Sequence, residues 1–177
     1  TIAQAGAIEP LVALLLGGSA GAQEAVAAAL TLSHLATDNA DNQEAIARAG
    51  AIEPLVALVR SGSAEAQEAA AAALGNLATG NADNRVAIAR AGAIEPLVAL
   101  VSSGSEKAQE EAAAALSNLA LDNADNTEAT ARAGAIMPLV ALVRSGSAGA
   151  QEEAAAALSN LAYGNADNSV ALSLIHI

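Results

Sequence analysis

One phrase, repeated at a fixed interval, constrains this chain more than any other feature. Asn-Ala-Asp-Asn begins at Asn39, Asn81, Asn123 and Asn165, always the same distance apart. A second phrase, Ala-Gly-Ala-Ile-x-Pro-Leu-Val-Ala-Leu, begins at Ala5, Ala49, Ala91 and Ala133. Its prolines Pro54, Pro96 and Pro138 keep the same interval, and Pro10 stands two residues further off. A period of about 42 residues across nearly the whole chain implies stacked copies of one supersecondary unit. Each unit is too small to bury its apolar face without its neighbours.

Residues 81–122 show what one unit contains. Asn81 or Asp83 is placed to cap a short first helix that runs to about Ala91 and stops at Gly92. Glycine ends helices readily because it enters the left-handed region without a Cβ clash. Pro96 falls where a first helical turn tolerates proline. The second helix then carries Leu97, Val98, Leu100 and Val101 as a broad apolar face. Ser102, Ser103, Gly104 and Ser105 break it, and a third helix runs from about Glu106 to Leu121. That helix presents Ala112, Ala113, Leu116, Leu119 and Ala120 inward. No segment alternates with a period of two, so strands are not expected.

Composition supports closely packed helices. Hydrophobic residues make up 54% of the chain, yet aromatics make up 1%, with Tyr163 the sole tyrosine and no Phe or Trp. Alanine dominates the apolar content, and it loses no side-chain entropy on entering a helix. With few large side chains to fill gaps, such helices must approach closely. The first unit carries one irregularity. Gln23 to Asn42 is two residues longer than Gln67 to Asn84. Two residues inside a helix would rotate everything upstream by about 200°, so the extra pair is expected at the helix start or in the loop before it.

Charge narrows the partners. The net charge is −12, with Lys107 and six arginines as the only cations. Phosphate contacts need Lys and Arg, so nucleic acid is not an expected partner, and anionic membranes are disfavoured. Basic proteins are favoured. No stretch has the ~18 uncharged apolar residues of a bilayer span, so direct membrane insertion is not expected. Cysteine is absent, which excludes disulfides.

The chain carries little that resembles catalysis. His34 and His176 are the only histidines. Ser33, His34 and Asp38 are near in sequence, but adjacent residues on a helix point about 100° apart, whereas a triad needs its base poised on the nucleophile. No His, Cys or carboxylate spacing suits a metal, and the glycines punctuate helices rather than cradle phosphate. Glu110 and Glu111 fit a solvated helix start favoured by the helix dipole. The expectation is a chain without enzyme activity or cofactor.

A more informative pattern lies on the third helices. Asn76, Asn118 and Asn160 each precede Leu-Ala, and His34 takes that place in the first unit. Asparagine competes for backbone hydrogen bonds and is mediocre inside helices. Its recurrence has two readings: tandem duplication or a structural bond, or a ligand. Helical spacing sets Glu111, Ala114, Asn118 and Asp122 on one stripe, matched by Glu153, Ala156, Asn160 and Gly164 in the last unit. In the first unit the stripe is Ala27, Leu30, His34 and Asp38.

A short helix, a Gly-Pro corner and two longer helices, recurring with this period, resemble the armadillo repeat. So does the wording Ala-Gly-Ala-Ile-Glu-Pro-Leu-Val-Ala-Leu-Val-Arg-Ser-Gly-Ser, followed by Gln-Glu-Glu-Ala-Ala-Ala-Ala-Leu-Ser-Asn-Leu-Ala. HEAT repeats are of similar length but usually have two helices. The wording is most similar to plant, algal and protist armadillo arrays, including those beside a U-box in ubiquitin ligases and those of vacuolar proteins. The near-identical units are also what a consensus design would produce.

The resemblance implies an all-α fold, a right-handed α-solenoid of about four stacked armadillo repeats with third helices lining a concave groove. It implies a protein–protein interaction scaffold, inside the cell in cytoplasm or nucleus, that holds an extended and basic peptide. It assigns peptide binding to Asn76, Asn118 and Asn160, with His34 as a substitute and Ser117, Ser159, Glu111, Glu153 and Asp122 beside them. Substrate recognition within a ubiquitin ligase and membrane-tethered scaffolding are the alternatives. Nuclear-import members carry Trp four residues before the Asn, where this chain has Ala72, Ala114 and Ala156. That role is disfavoured.

The repeat also sets expected boundaries. Residues 1–38 form a partial first repeat, with its first helix truncated, followed by repeats at 39–80, 81–122 and 123–164. Residues 165–171 open a fifth repeat whose next residues should read Ile-Ala-Arg-Ala-Gly. The chain gives Leu172, Ser173, Leu174, Ile175, His176 and Ile177 instead. This hexapeptide resembles the translation of CTG-TCT-CTT-ATA-CAC-ATC, a library-preparation adaptor end, so 172–177 reads as a sequencing-derived tail. Arrays of this kind are normally capped by polar end units. Uncapped ends predict fraying and end-to-end self-association.

Overall fold

A computed structural model describes residues 6–16, 22–163 and 165–173. The described residues form twelve helices: α1 (Ile8–Leu16), α2 (Ala22–Ala36), α3 (Ala40–Arg48), α4 (Ile52–Ser61), α5 (Ala64–Ala78), α6 (Ala82–Arg90), α7 (Ile94–Ser103), α8 (Glu106–Ala120), α9 (Ala124–Arg132), α10 (Ile136–Ser145), α11 (Ala148–Ala162) and α12 (Ala166–Ser173). No strand occurs among them. The order short, medium, long recurs in step with the repeated phrases, giving the all-α solenoid that the sequence predicts.

Local chemistry sets the boundaries. The side chains of Asn39, Asn81 and Asn123 cap α3, α6 and α9, each accepting from the backbone N–H three residues on at 3.0 Å. Ser63, Ser105 and Ser147 cap the third helices α5, α8 and α11 in the same way. Between first and second helices the chain turns at Gly50, Gly92 and Gly134, with φ of +81°, +76° and +81°. At Gly92 the turn sets α6 and α7 at 82° to one another. The second helix outlasts its expected break. Ser102 and Ser103 stay helical by donating their hydroxyls to the Val98 and Ala99 carbonyls, and Gly104 ends the helix with an extended backbone.

The third helices α2, α5, α8 and α11 stack side by side through the whole array, much more closely than the second helices do. The tightly stacked row lies at the inner radius of the curve and the second helices lie outside it. Interior α5 buries both of its flanks, with Ala66, Ala69, Ala70, Ala73, Leu74, Leu77 and Ala78 almost without exposure. Alanine permits this approach. A Cβ placed on Gly75 would lie 3.5 Å from the Ala115 Cα on α8, an ordinary contact distance. Larger residues fill the space between second and third helices, among them Leu55, Leu97 and Leu139, all fully buried.

The two extra residues of the first unit fall before Ala28. α1 keeps the longer spacing to α4, as Ile8 and Ile52 show, while buried Ala28, Ala29, Leu32 and Ala36 correspond to Ala70, Ala71, Leu74 and Ala78 at the regular period. The insertion therefore lies between Leu16 and the start of α2, and residues 17–21 lie outside the described residues. Residues 1–5 and 174–177, including most of the expected tail, lie outside them as well.

Gly75 gives a direct check on this packing. It is helical, and its neighbours leave ordinary room for a methyl group. Gly75→Ala is expected to stabilise the chain by about 1 kcal/mol, the helix-propensity difference. Urea unfolding followed by circular dichroism measures it. A lowered midpoint would show that the third helices lie closer than described.

Candidate functional site

Asn76, Asn118 and Asn160 stand in one row along the stacked third helices. Each sends its amide N–H group back to the preceding unit. Asn76 donates to the Ser33 carbonyl at 3.2 Å, and the Ser33 Oγ and Thr37 Oγ1 lie within 2.9 and 3.2 Å. Asn118 donates to the Gly75 carbonyl at 3.2 Å and to Thr79 Oγ1 at 3.1 Å. Asn160 donates to the Ser117 carbonyl at 3.0 Å and its Oγ at 3.1 Å. A carbonyl can only accept, so the NH₂ face of each amide must point at the neighbouring helix. Each Oδ1 is then left as an acceptor that no described protein donor meets.

This row therefore has a structural task. Each amide contributes about 1 kcal/mol of net hydrogen bonding between units. It leaves one outward acceptor per repeat at an intermediate level of exposure. Ala72, Ala114 and Ala156, four residues earlier on the same faces, are small and leave the row open.

The other predicted residues divide between groove and interior. Ser117 is buried with 6% exposure and faces the next unit, where its hydroxyl accepts from Asn160. Ser159, its counterpart on α11, is exposed, as is His34 on α2. No described hydrogen bond joins His34 to Ser33 or Asp38, and the buried Ser33 hydroxyl accepts from Asn76 instead. Asp122 is exposed in the left-handed region at φ +50°, where the preceding unit has Gly80. Among the described residues no cluster of His, Cys, Asp and Glu could hold a metal.

At the other end of the third helices, Glu111 and Glu153 gather with Glu110, Glu152 and Lys107. The Lys107 ammonium lies 2.7 Å from Glu110 and 3.0 Å from Glu111. Hydrogen bonds to Glu110 and Glu111 hold its pKa well above the ordinary lysine value. Among the described residues Glu153 has no ion pair, and Lys107 lowers its pKa less than its other neighbours raise it. Partial burial pushes its carboxyl pKa up, and the charges of Glu152, Glu110 and Glu111 push it further. This end of the groove has more negative charge than its one lysine neutralises.

A second set of polar residues escaped the sequence reading. The final Asn of each Asn-Ala-Asp-Asn phrase is buried and donates to a carbonyl seven residues back, on the third helix of the preceding unit. Asn84 reaches Leu77 at 2.9 Å and Asn126 reaches Leu119 at 2.9 Å. The next residue differs between units. Gln43 donates to the Ala36 carbonyl of the preceding unit and to the Asn76 and Thr79 carbonyls of its own, the latter two at 2.9 and 3.1 Å. Arg85 donates through Nε to Ala78 and through Nη1 to Leu121, at 3.1 and 2.9 Å. Thr127 reaches only the preceding unit, at the Ala120 carbonyl. The available signal was a polar residue at a fixed place after each Asn-Ala-Asp-Asn phrase.

Comparison with known proteins matches the armadillo/beta-catenin-like repeat family over residues 39–79, 81–121 and 123–163, more than half of the chain. No curated protein matches. Several solved structures are similar. An engineered protein is 36% identical, with a TM-score of 0.91 over 97% of this chain and 70% of its own. A designed armadillo repeat protein in complex with the peptide (KR)4 is 34% identical, with a TM-score of 0.89 over 98% of this chain and 72% of its own. A computationally designed armadillo repeat protein for modular peptide recognition is 34% identical, with a TM-score of 0.86 over 94% of this chain and 69% of its own.

Three substitutions test these contacts. Asn118→Ala costs about 1 kcal/mol, because the Gly75 carbonyl keeps its bond from Thr79 Oγ1. Asn118→Asp costs more at pH 7, since a carboxylate then faces that carbonyl. Its folded pKa is raised, so stability returns as pH falls through that value and the protonated acid donates. Equal stability of the two variants across pH would contradict the amide orientation. Glu153→Gln tests the acidic end. The folded pKa of Glu153 is raised, so the native state loses stability as pH rises from the unfolded value through the folded one. The variant should melt higher than the parent at pH 7, with the gap closing below about pH 4, near the ordinary Glu value. A gap that does not change with pH would sink this reading.

Proposed function

The chain belongs to the armadillo/beta-catenin-like repeat family, and on that footing we propose that its groove binds an extended, basic segment of a partner protein. The family fold is a binding scaffold without a catalytic centre of its own. The observation that carries the finer reading is the row of Asn76, Asn118 and Asn160. Their donors are fixed between units, and their Oδ1 acceptors recur once per repeat. An extended peptide offers outward N–H groups at regular intervals, which suits a ladder of single acceptors better than any compact ligand does.

Charge supports a basic segment. The net charge is −12, and Glu153 gains from any cation that relieves its crowding by Glu152, Glu110 and Glu111. Lysine or arginine side chains would compete with Lys107 for Glu111, so binding is expected to weaken as salt rises. Alanine at positions 72, 114 and 156 gives no aromatic wall to pack aliphatic stems, and affinity for a single short peptide is accordingly modest. The similar designed protein in complex with (KR)4 is a precedent for this ligand class on this fold.

Fluorescence anisotropy with a labelled alternating Lys-Arg octapeptide tests the proposal. The full chain should bind it, and an alternating Glu-Ser control should not bind. Asn118→Ala with Asn160→Ala should weaken binding about tenfold or more, the equivalent of two lost hydrogen bonds, with helicity retained. Unchanged affinity with intact helicity would remove the asparagine row from the function.

A further inference from the structure

We propose that the cavity between α7 and α10 is a second binding site, which takes a neutral aliphatic residue of a partner protein together with its backbone amide. Two consecutive grooves between second helices can be compared position by position. The α4–α7 groove holds a cavity of about 250 Å³ lined by Val59, Arg60, Gln67 and Pro96 among others. The α7–α10 groove holds one of about 440 Å³, lined at the matching positions by Val101, Ser102, Gln109 and Pro138. Two exchanges distinguish them. Arg60 reaches from α4 to the Gly92 corner, its Nη2 being 3.7 Å from where a Cβ on Gly92 would stand, whereas Ser102 leaves that path open in the second groove. Glu95 stands beside Pro96 in the first groove. Met137 takes its place in the second, where it lines the cavity and is 62% exposed.

The polar groups change as well. In the first groove the Gln67 amide donates to the Val59 carbonyl at 3.0 Å. In the second, the Gln109 side chain makes no described hydrogen bond, and the Val101 carbonyl, in the last turn of α7, meets no described donor. Both residues line the cavity. Its volume falls within the range of roughly 300–1,000 Å³ typical of ligand sites. Charge selects the occupant. The chain carries a net charge of −12, yet no charged residue lines this cavity. A charged group placed there would lose water without gaining a partner. An aliphatic body suits the walls of Met137, Pro138 and Leu142. An amide, donor and acceptor at once, suits the open Val101 carbonyl and the Gln109 side chain. A peptide residue with a leucine-like side chain carries both. In the earlier groove Arg60 and Gln67, residues of the chain itself, supply the covering that this one lacks.

The site shares no lining residue with the asparagine row, so it stands or falls apart from the groove reading, and a single capped residue tests it. N-acetylleucinamide, titrated into the isotopically labelled full chain, should give saturable amide shifts confined to residues 101–109 and 137–146, the Gln109 side-chain amide among them. N-acetylglycinamide lacks the aliphatic body, and N-acetylasparaginamide is of similar size but polar. Both should bind about tenfold more weakly or worse. Ser102→Arg restores the residue that covers the earlier groove and should abolish the response with helicity retained. Met137→Glu restores the carboxylate of the other units and should weaken the response about tenfold. It serves as the readout if Ser102→Arg fails to fold. Absent or scattered shifts, an equal response to the asparagine analogue, or a response undiminished in either folded variant would overturn the proposal.

Discussion

The carbonyl groups that end each third helix set the constraint on which the rest of the structure depends. Every helix leaves its last carbonyls without intrahelical partners, and here those ends are packed against a neighbouring unit rather than turned to water. The first helix that follows supplies the missing donors. Asn42, Asn84 and Asn126 reach back seven residues to the third helix of the preceding unit, and Gln43 and Arg85 also reach the end of the third helix in their own unit. Asn76, Asn118 and Asn160 tie the same helices together one turn earlier. A unit without its neighbours would lose the bonds that cross units together with its buried faces. The period in the sequence is thus a period of mutual capping.

Alanine makes that capping geometrically available. Third helices lined by Ala69, Ala70 and Ala73 on one side and Ala112, Ala113 and Ala115 on the next can approach closely enough for one asparagine amide to span the gap. The same economy of volume shapes the surface. Ala72, Ala114 and Ala156 leave the asparagine row uncovered, so the groove offers acceptors and carboxylates but no aromatic shelf. In the proposed function, recognition rests on hydrogen bonding and charge, which give specificity and speed of association more readily than tight affinity.

Much of this was legible in the sequence. The period, the helix-ending glycines at Gly50, Gly92 and Gly134, the prolines and the apolar spacing pointed to the three-helix unit and its family. Helix ends were less legible, because Ser102 and Ser103 continue a helix through their own hydroxyl bonds. The asparagines were legible as a recurring exception but not as inter-unit clamps. Their partners Ser33, Gly75 and Ser117 lie 43 residues earlier, and no local pattern announces a contact at that distance. Ser117 was expected beside the ligand, yet it is buried between units. The role of Arg85 was hidden for a related reason: its position holds Gln, Arg or Thr in turn, and only the stacked structure shows all three facing equivalent carbonyls.

Arg85 offers the most direct test of the account, because it is a buried cation whose described partners are carbonyls rather than carboxylates. Urea unfolding of Arg85→Met, a change that keeps much of the length and removes the donors, measures what the cap contributes. The Leu121 carbonyl would lose its charged donor, and the Ala78 carbonyl would keep only the 3.3 Å bond from the Asn81 N–H. Stability should fall by about 2–3 kcal/mol, as expected for buried acceptors stripped of charged donors. Removal of an expensive buried charge would act in the opposite direction. An unchanged or higher midpoint would therefore contradict the claim that side chains capping the third helices hold the array together.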